Sequence, residues 1–156
     1  MLKRQAGNKQ LRGNMAKVKS NKRKSKMNEQ TGVNFPVGDF LIRVKNAAMA
    51  NNKSVEMPAS KLVVEVARAI KKLKYIEKVD KKDGKILINI AFHKREPIMM
   101  GLKIVSRPGL RIYKNVKELE EHRDPTEVII STTKGILSRK EAVKSRVGGE
   151  VIAEIW

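Results

Sequence analysis

The sequence predicts an α+β protein of two small domains behind a basic N-terminal arm. Three observations support this fold class. Two segments in the first half have apolar residues at helical spacing, short strand-like segments with Gly and Pro turns fill most of the second half, and residues 1–34 show neither pattern. We therefore predict an arm at 1–34, an α-β-α-β-β domain at 35–96, and a mostly β domain with one short helix at 97–156.

The composition indicates a folded chain with a polyanionic partner. Its 156 residues include 35 Lys and Arg against 16 Asp and Glu, a formal net charge of +19. An excess of this size is typical of proteins that neutralise phosphates. Cysteine is absent, which excludes disulfides, thiolate metal sites and thiol nucleophiles. No apolar run approaches the roughly 20 residues that a membrane-spanning helix needs, and no signal-peptide pattern is present.

The arm, residues 1–34, contains ten Lys and Arg residues and a single acidic residue, Glu29. Its few apolar residues follow no helical stripe, so we expect it to be disordered when free and to become ordered on RNA. Two alternatives stay open. An organelle transit peptide would share the poverty in acidic residues but would be richer in Arg and Ser, and a polybasic membrane anchor would need a hydrophobic face.

Two helices are predicted in the first domain. The first is capped by Asn34, has Pro36 in its first turn and runs to about Ala50. Its apolar stripe consists of Phe40, Leu41, Val44, Ala47 and Ala48. After a short strand at 54–57, the second helix opens at 58–60. The second stripe consists of Leu62, Val63, Val66, Ile70 and Leu73.

The first domain ends in a predicted β-hairpin. Segments 75–80 and 85–92 flank Asp83-Gly84, a strong signal for a type I′ turn. In the second of these strands, Ile86, Ile88, Ile90 and Phe92 alternate onto one face. We place the domain boundary in the charged, proline-containing segment 93–97.

The second domain is predicted to start with two strands, 101–106 and 110–116, around Arg107-Pro108-Gly109. Proline fixes φ and glycine accepts a positive φ, as a type II turn requires. A short charged helix at 117–123 follows and ends at Asp124-Pro125.

A loop rich in hydroxyl groups follows the apolar strand 128–130. Ser131, Thr132 and Thr133 each can donate one hydrogen bond and accept two. Beside them stand Lys134 and Gly135, and this combination suits phosphate, ribose and base edges. The alternative is an ordinary turn, since Ser, Thr and Gly are common turn residues.

A helix is expected directly beyond this loop, because Ser138 and Glu141 form a capping-box pattern. That helix is predicted to stop at Gly148-Gly149, and residues 150–156 to return as a strand. The return would bring Glu150 beside the hydroxyl loop. A helix cap followed by an edge-strand carboxylate is the alternative.

Several segments together resemble one known family, that of the eighth protein of the bacterial small ribosomal subunit (ribosomal protein S8). The likeness covers about 35–156 and rests on segments 39–47, 57–62, 106–111, 130–135 and 147–151 with the terminal Trp156. It implies a two-domain α+β protein that binds a helix in the central domain of small-subunit ribosomal RNA early in assembly. It implies neighbouring small-subunit proteins as further partners, and no cofactor, metal, membrane or small-molecule substrate.

By motif match, the resemblance implies a set of RNA-binding residues. The main contacts fall to Ser131, Thr132, Thr133, Lys134 and Gly135. Support comes from Arg107, Tyr113 and Glu150, and the N-terminal domain contributes Arg43, Asn46, Ser60 and Lys61. The sequence departs from the family pattern in the basic arm, at Thr133 in place of Ser, at Phe35 in place of an acidic cap, and at 122–126 in place of a glycine-rich turn.

Two other classes of function were weighed against RNA binding of this kind. An enzyme is disfavoured because His93 and His122 lie far apart in charged loops and no metal or phosphate-loop motif is present. A general nucleic-acid binder shares the charge but would not need the hydroxyl loop. Aromatic residues make up only 4% of the chain, which disfavours recognition of single strands by base stacking.

Overall fold

The computed structural model describes residues 35–156, which form one compact unit. Four helices and ten strands lie in this range. The helices are α1 (Pro36–Met49), α2 (Lys61–Lys72), α3 (Val116–Glu120) and α4 (Arg139–Lys144). The strands are β1 (Ser54–Pro58), β2 (Ile76–Lys82), β3 (Lys85–Ile90), β4 (Phe92–His93), β5 (Glu96–Pro97), β6 (Leu102–Ile104), β7 (Tyr113–Lys114), β8 (Glu127–Thr132), β9 (Gly135–Ser138) and β10 (Gly149–Ile155).

The observed elements confirm the predicted α+β class and the α-β-α-β-β order at the start. The arm and the predicted cap Asn34 lie outside the described residues. The division at residue 96 is a finer subdivision of the compact unit and stays a prediction. No helix within 35–156 has the length and apolarity needed to cross a bilayer.

Helix α1 begins at Pro36, and its N-cap position is held by Phe35 rather than by the predicted Asn34. Phe35 precedes it and makes no side-chain cap bond. Proline suits this position because its φ is already helical and the first N–H groups of a helix lack partners inside it. Phe40, Leu41 and Val44 are fully buried, so the predicted stripe is the face that packs on the core.

Helix α2 has Ser60 as its N-cap, and the Ser60 hydroxyl accepts a hydrogen bond from the Val63 N–H. Val63, Val66 and Ile70 are buried as predicted. Leu62 is 45% exposed, so placing it in the core stripe was wrong. Leu62 stands at one side of the stripe and lines a small surface cleft instead.

The first sheet has the strand order β1-β3-β2, with β3 paired antiparallel to both neighbours. Asp83 and Gly84 have φ values of 50° and 74°, the positive pair that a type I′ turn needs. Ile86, Ile88 and Ile90 are buried. Strand β3 ends at Ile90. The chain then forms a separate hairpin of β4 and β5, which are two residues long each.

The second sheet is built around β10. Its order is β6-β10-β8-β9, and β7 also pairs with β10. The predicted strands 101–106 and 110–116 are shorter than expected. They contact each other only through an isolated bridge between Arg107 and Leu110. Otherwise each of them pairs with β10. The turn between them is present, because the Leu110 N–H donates to the Arg107 carbonyl and Gly109 has φ of +84°. The final strand therefore organises this half of the molecule.

Strand β10 does not alternate simply between two environments. A bulge interrupts its pairing with β8, since Val151 lies opposite Ile130 and Ala153 opposite Ile129. Ile152, the extra residue, is only 6% exposed. An added residue in one strand bends it and strengthens its twist. The bend lies directly after Glu150, the predicted site residue in this strand.

The buried apolar residues form two clusters. The larger contains the inner faces of α1, α2 and the first sheet together with residues of β6, β8 and β10, among them Leu102, Ile129 and Ile155. The smaller lies under α3 and α4 and consists of Leu119, Val128, Ile130, Ala142 and Val151. Strand β8 contributes to both, so its two faces are buried and its end is held firmly.

Candidate nucleic-acid interface

The loop that carries the three hydroxyls is the turn of a β-hairpin, because Thr132 pairs with Gly135 and β9 follows at once. The prediction of a helix directly beyond the loop was wrong. The short strand β9 comes first, and the capped helix α4 begins at Arg139. Gly135 has φ of +102°, a value that side chains disfavour. The tight turn therefore requires glycine at this position.

The Thr132 hydroxyl is used inside the turn. It donates to the Gly135 carbonyl at 2.8 Å and accepts from the Lys134 N–H at 3.1 Å. Within residues 35–156, the hydroxyls of Ser131 and Thr133 make no hydrogen bond. Ser131 is half-buried and Thr133 is exposed. Two of the three hydroxyls are thus available to a ligand, while the third stabilises the turn.

Tyr113, Glu150 and Ser131 lie side by side on three neighbouring strands. Glu150 of β10 is opposite Tyr113 of β7 on one side and opposite Ser131 of β8 on the other. Directly opposed residues in antiparallel strands share a face, with Cβ atoms about 4.5–5.5 Å apart. This register confirms that Glu150 returns beside the hydroxyl loop. We refer to Tyr113, Ser131, Thr133 and Glu150 together as the hydroxyl surface.

Two glycines allow β10 to approach its neighbours at this point. A Cβ on Gly149 would lie 2.1 Å from the Ser131 carbonyl oxygen, and a Cβ on Gly148 would lie 2.6 Å from the carbonyl oxygen of Lys114. Both obstructing atoms belong to the backbone. In the sequence, these glycines indicate only the end of a helix. Their second use, close strand contact beside Glu150, depends on a pairing between distant segments that local sequence does not reveal.

Arg111 contacts Glu150 from outside the predicted set. Its Nη1 donates to Glu150 Oε1 at 2.7 Å, and its guanidinium lies 5.9 Å from the centre of the Phe35 ring. The Glu150 side chain is only 20% exposed, so this ion pair is better shielded from water than most surface pairs. Arg111 therefore fixes one carboxylate oxygen of Glu150. In the sequence, the only indication that Arg111 belongs to the site is its place in segment 106–111, one of the segments that carry the family resemblance.

Ser106 holds the loop that presents Arg107 and Arg111. The Ser106 side chain is buried, and its hydroxyl accepts from the Ile112 N–H at 3.0 Å. The Arg107 side chain is exposed at the turn between them. Ser106 was not among the predicted site residues, because a buried hydroxyl that supports a loop looks like any other serine in a sequence.

A small cleft of about 50 Å³ lies beside the hydroxyl surface and reaches the start of α2. It is lined by Phe35, Val37, Leu62, Ser106, Arg111, Ser131, Glu150 and Ile152. Leu62 is the second residue of α2, so the predicted site residues Ser60 and Lys61 lie next to this cleft along the chain. Lys61 is exposed, whereas the Ser60 hydroxyl is occupied as the helix cap.

The remaining predicted residues on α1 form a separate location. Arg43 and Asn46 are both exposed, and Arg43 Nε donates to Asp39 at 2.8 Å within the same helix. No contact between them and the hydroxyl surface is recorded among the described residues. An exposed ion pair four residues apart on a helix contributes about 0.3–0.5 kcal/mol. Arg43 can therefore exchange Asp39 for a phosphate at small cost.

Charge near the hairpin comes mainly from Lys134. Its Nζ donates to the Ser145 carbonyl at 3.3 Å, at the C-terminal end of α4, and its side chain is exposed. Two ionisable groups elsewhere in residues 35–156 have shifted pKa values. Burial, followed by the charge of Glu127, raises the pKa of Tyr75. The Ser138 N–H, as the strongest influence, and Lys72 lower the pKa of Glu141.

The chemistry available within residues 35–156 is that of hydrogen bonding and charge. No group of three or more His, Asp or Glu residues in this range is arranged to hold a metal ion. The hydroxyl surface combines donors, acceptors and one carboxylate on a rigid sheet end. Such groups suit a ligand rich in hydroxyls, phosphates and amino groups.

Comparison with known proteins adds a family to this geometry. The sequence model of the family described as ribosomal protein S8 matches residues 36–156. The chain belongs to the ribosomal protein S8 family. The expected extent of the likeness, about 35–156, is thereby confirmed, and residues 1–35 precede the match. The S8 family is not a family of enzymes.

Curated relatives support the S8 assignment over the same range. The small ribosomal subunit protein uS8 of Nitratidesulfovibrio vulgaris (strain DP4) is 37% identical over 122 residues, which cover 78% of this chain and 97% of the relative. The proteins of the same name from Streptococcus gordonii and Spiroplasma kunkelii are 39% and 40% identical, covering 78% and 77% of this chain and 96% of each relative.

Proposed function

We propose that this protein is a structural constituent of the small ribosomal subunit and binds a helix in the central domain of its ribosomal RNA. Membership of the S8 family, together with the hydroxyl surface at the end of the second sheet, carries this proposal. The protein would act early in assembly by holding that helix. Its place is in the ribosome, beside neighbouring small-subunit proteins, in the cytoplasm or in an organelle.

The hydroxyl surface is suited to the shape of RNA rather than to a base sequence. A-form RNA has a major groove too narrow for side chains to read, so proteins contact ribose 2′-hydroxyls, phosphates and irregular bases. The free hydroxyls of Ser131 and Thr133 can donate to or accept from ribose. Glu150, fixed by Arg111, can accept from an amino group or a 2′-hydroxyl. These contacts supply the specific part of binding.

Lysines and arginines supply the other part. Lys61, Arg107 and Lys134 are exposed and directly neighbour, along the chain, residues of the hydroxyl surface or of its cleft, and the arm adds a further run of cations. Each phosphate that they neutralise releases counterions, so this attraction weakens with salt and is nearly blind to sequence. Arg43 and Asn46 on α1 contribute a second, smaller contact to the RNA.

The proposal is tested by comparing two RNAs and two forms of the protein. The full chain and residues 35–156 are titrated with the central-domain helix and with a scrambled helix of equal length across a salt series. We expect both forms to prefer the cognate helix. Removing the arm lowers the affinity for both RNAs and the steepness of its salt dependence, because counterion release falls with each lost phosphate contact.

Two outcomes would contradict the proposal. Equal affinity of the full chain for the cognate and the scrambled helix would indicate a general nucleic-acid binder instead. Loss of all discrimination on removing residues 1–34 would mean that the arm, rather than the folded unit, reads the RNA.

A further inference from the structure

The two-residue turn between β4 and β5 places two cations in an unfavourable backbone conformation. His93 pairs with Glu96, and the turn between them consists of Lys94 and Arg95. Their φ values are 48° and 73°, both in the left-handed region. A two-residue hairpin with this geometry strongly favours Asn-Gly, because residues with larger side chains are strained there.

In the described part of the chain, most of the residues with this strained backbone conformation are cations. Six residues other than glycine have positive φ within 35–156, and four of them are Lys74, Lys94, Arg95 and Arg146. Asn, Asp and His are the usual residues in this region. Strained backbone that persists at an exposed position is a reason to look for a function.

The hairpin that carries Lys94 and Arg95 begins at Phe92, which lines a cleft together with two lysines. The chain enters β4 from Ala91, whose N–H donates to the Tyr75 carbonyl at 3.1 Å, and Lys74 directly precedes Tyr75. An open cleft of about 390 Å³ at this place is lined by Lys71, Lys74, Ile76, Glu77, Ala91 and Phe92. Four cations in this region are exposed: Lys71, Lys74, Lys94 and Arg95. None of them forms an ion pair within residues 35–156.

Stabilisation of a helix end accounts for only part of this group. Lys71 and Lys72 stand in the last turn of α2, where cations interact favourably with the helix dipole. Lys72 also pairs with Glu141 at 3.0 Å. Neither argument applies to Lys94 and Arg95, because they form the turn of a hairpin rather than the end of a helix.

We propose that Lys94 and Arg95, with Lys71 and Lys74, form a third contact with RNA, made to its phosphate backbone. This inference rests on the proposed function. The 12 residues of α2 separate this surface from the cleft beside the hydroxyl surface, a length of about 18 Å. This third contact therefore takes a different stretch of RNA backbone from the one on the hydroxyl surface, and it carries no sequence preference.

The test replaces the turn by the residues that its backbone favours. The full-chain double variant Lys94→Asn and Arg95→Gly relieves the strain, so its melting temperature is expected to rise above that of the parent. The same variant loses two cations. On a central-domain rRNA fragment, the slope of log affinity against log salt is expected to become shallower by about 1–2, since each phosphate contact contributes about 0.7–0.9. A protein made more stable would thus bind RNA less well.

A matched control removes two cations from the other hairpin. Lys81→Gln with Lys82→Gln changes exposed residues of β2 by the same net charge. The control is expected to keep the parent slope within about 0.5. A turn variant whose slope equals that of the control would overturn the proposal. This failure is distinct from failure of the proposed function, in which the parent itself would not prefer the cognate helix.

Discussion

At the scale of single residues, three neighbouring hydroxyls have different uses. The Thr132 hydroxyl closes the turn through two hydrogen bonds, whereas the hydroxyls of Ser131 and Thr133 make none within residues 35–156. Sequence alone predicts the cluster but cannot assign these uses, because Ser and Thr can serve either a turn or a ligand. The hydrogen bonds of the folded hairpin decide between them.

Thr132→Val is expected to lower the free energy of unfolding by about 0.5–1.5 kcal/mol, because it removes the hydroxyl that joins Lys134 to Gly135. Thr133→Val is the matched control, since the Thr133 side chain is exposed. It is expected to change stability by less than about 0.5 kcal/mol. Denaturant unfolding of both variants measures the difference. Equal effects would show that Thr132 does not hold the turn.

Glu141 gives stability a dependence on pH. The Ser138 N–H and Lys72 lower the pKa of Glu141 below its ordinary value of 4.5, so the ionised carboxylate stabilises the folded state above that value. The stabilisation is lost as pH falls through the lowered pKa of the folded state. Glu141→Gln is therefore expected to be less stable than the parent at pH 7, with a difference that shrinks as pH is lowered below 4.5.

Thermal unfolding of the parent and Glu141→Gln between pH 7 and pH 3 measures this difference. Glu120→Gln serves as the control, because Glu120 is exposed on α3 and has no ion pair recorded among the described residues. A difference between parent and Glu141→Gln that stayed constant with pH would rule out the ionised capping contact.

At the scale of elements, local signals predicted much of what the structure shows. The capping box of Ser138 and the turn at Asp83-Gly84 are encoded within a few residues, and both are present. Pairing between distant segments was harder to predict. Both strands around Arg107 pair with β10 instead of with each other, and the hydroxyl loop continues into β9 before α4 begins.

The candidate site shows the same limit. Its hydroxyls and Glu150 were predicted from motifs, whereas Arg111 and Ser106 belong to it through tertiary contacts. Leu62 was assigned to the core because helical spacing alone does not fix where the edge of a buried stripe lies. Such edges are decided by the neighbouring sheet.

Gly149→Ala tests the close contact of β10 with β8. A Cβ at this position would meet the Ser131 carbonyl at 2.1 Å, and a backbone atom cannot move aside without disturbing the strand pair. We expect a loss of about 1–3 kcal/mol or more in stability and weaker RNA binding, because Glu150 and Ser131 are displaced together.

Gly84→Asn is the control for this substitution. Gly84 has open space around it, and Asn tolerates its positive φ. The control is expected to keep RNA affinity, with only a small change in melting temperature. A Gly149→Ala variant as stable as the parent would contradict the close strand approach.

At the scale of the whole molecule, binding is divided between charge and shape. The net charge of +19 favours any RNA, and residues 1–34 contribute a large share of it, with ten Lys and Arg against one Glu. In the proposed function, specific recognition falls to a few groups at the end of one sheet, where strand pairing fixes Ser131, Glu150 and Tyr113 relative to one another. We propose that charge brings the RNA to the protein and that the hydroxyl surface selects the helix.

The double variant Ser131→Ala and Thr133→Ala tests this division most directly. Its affinities for the cognate and the scrambled rRNA helix are measured beside those of the parent over a salt series. We predict a loss of about 30-fold or more on the cognate helix, since two hydrogen-bond partners are left unmet and each costs about 1–3 kcal/mol. Affinity for the scrambled helix and both salt slopes should stay unchanged. A variant that binds the cognate helix as tightly as the parent would show that the hydroxyl surface is not where the RNA is recognised.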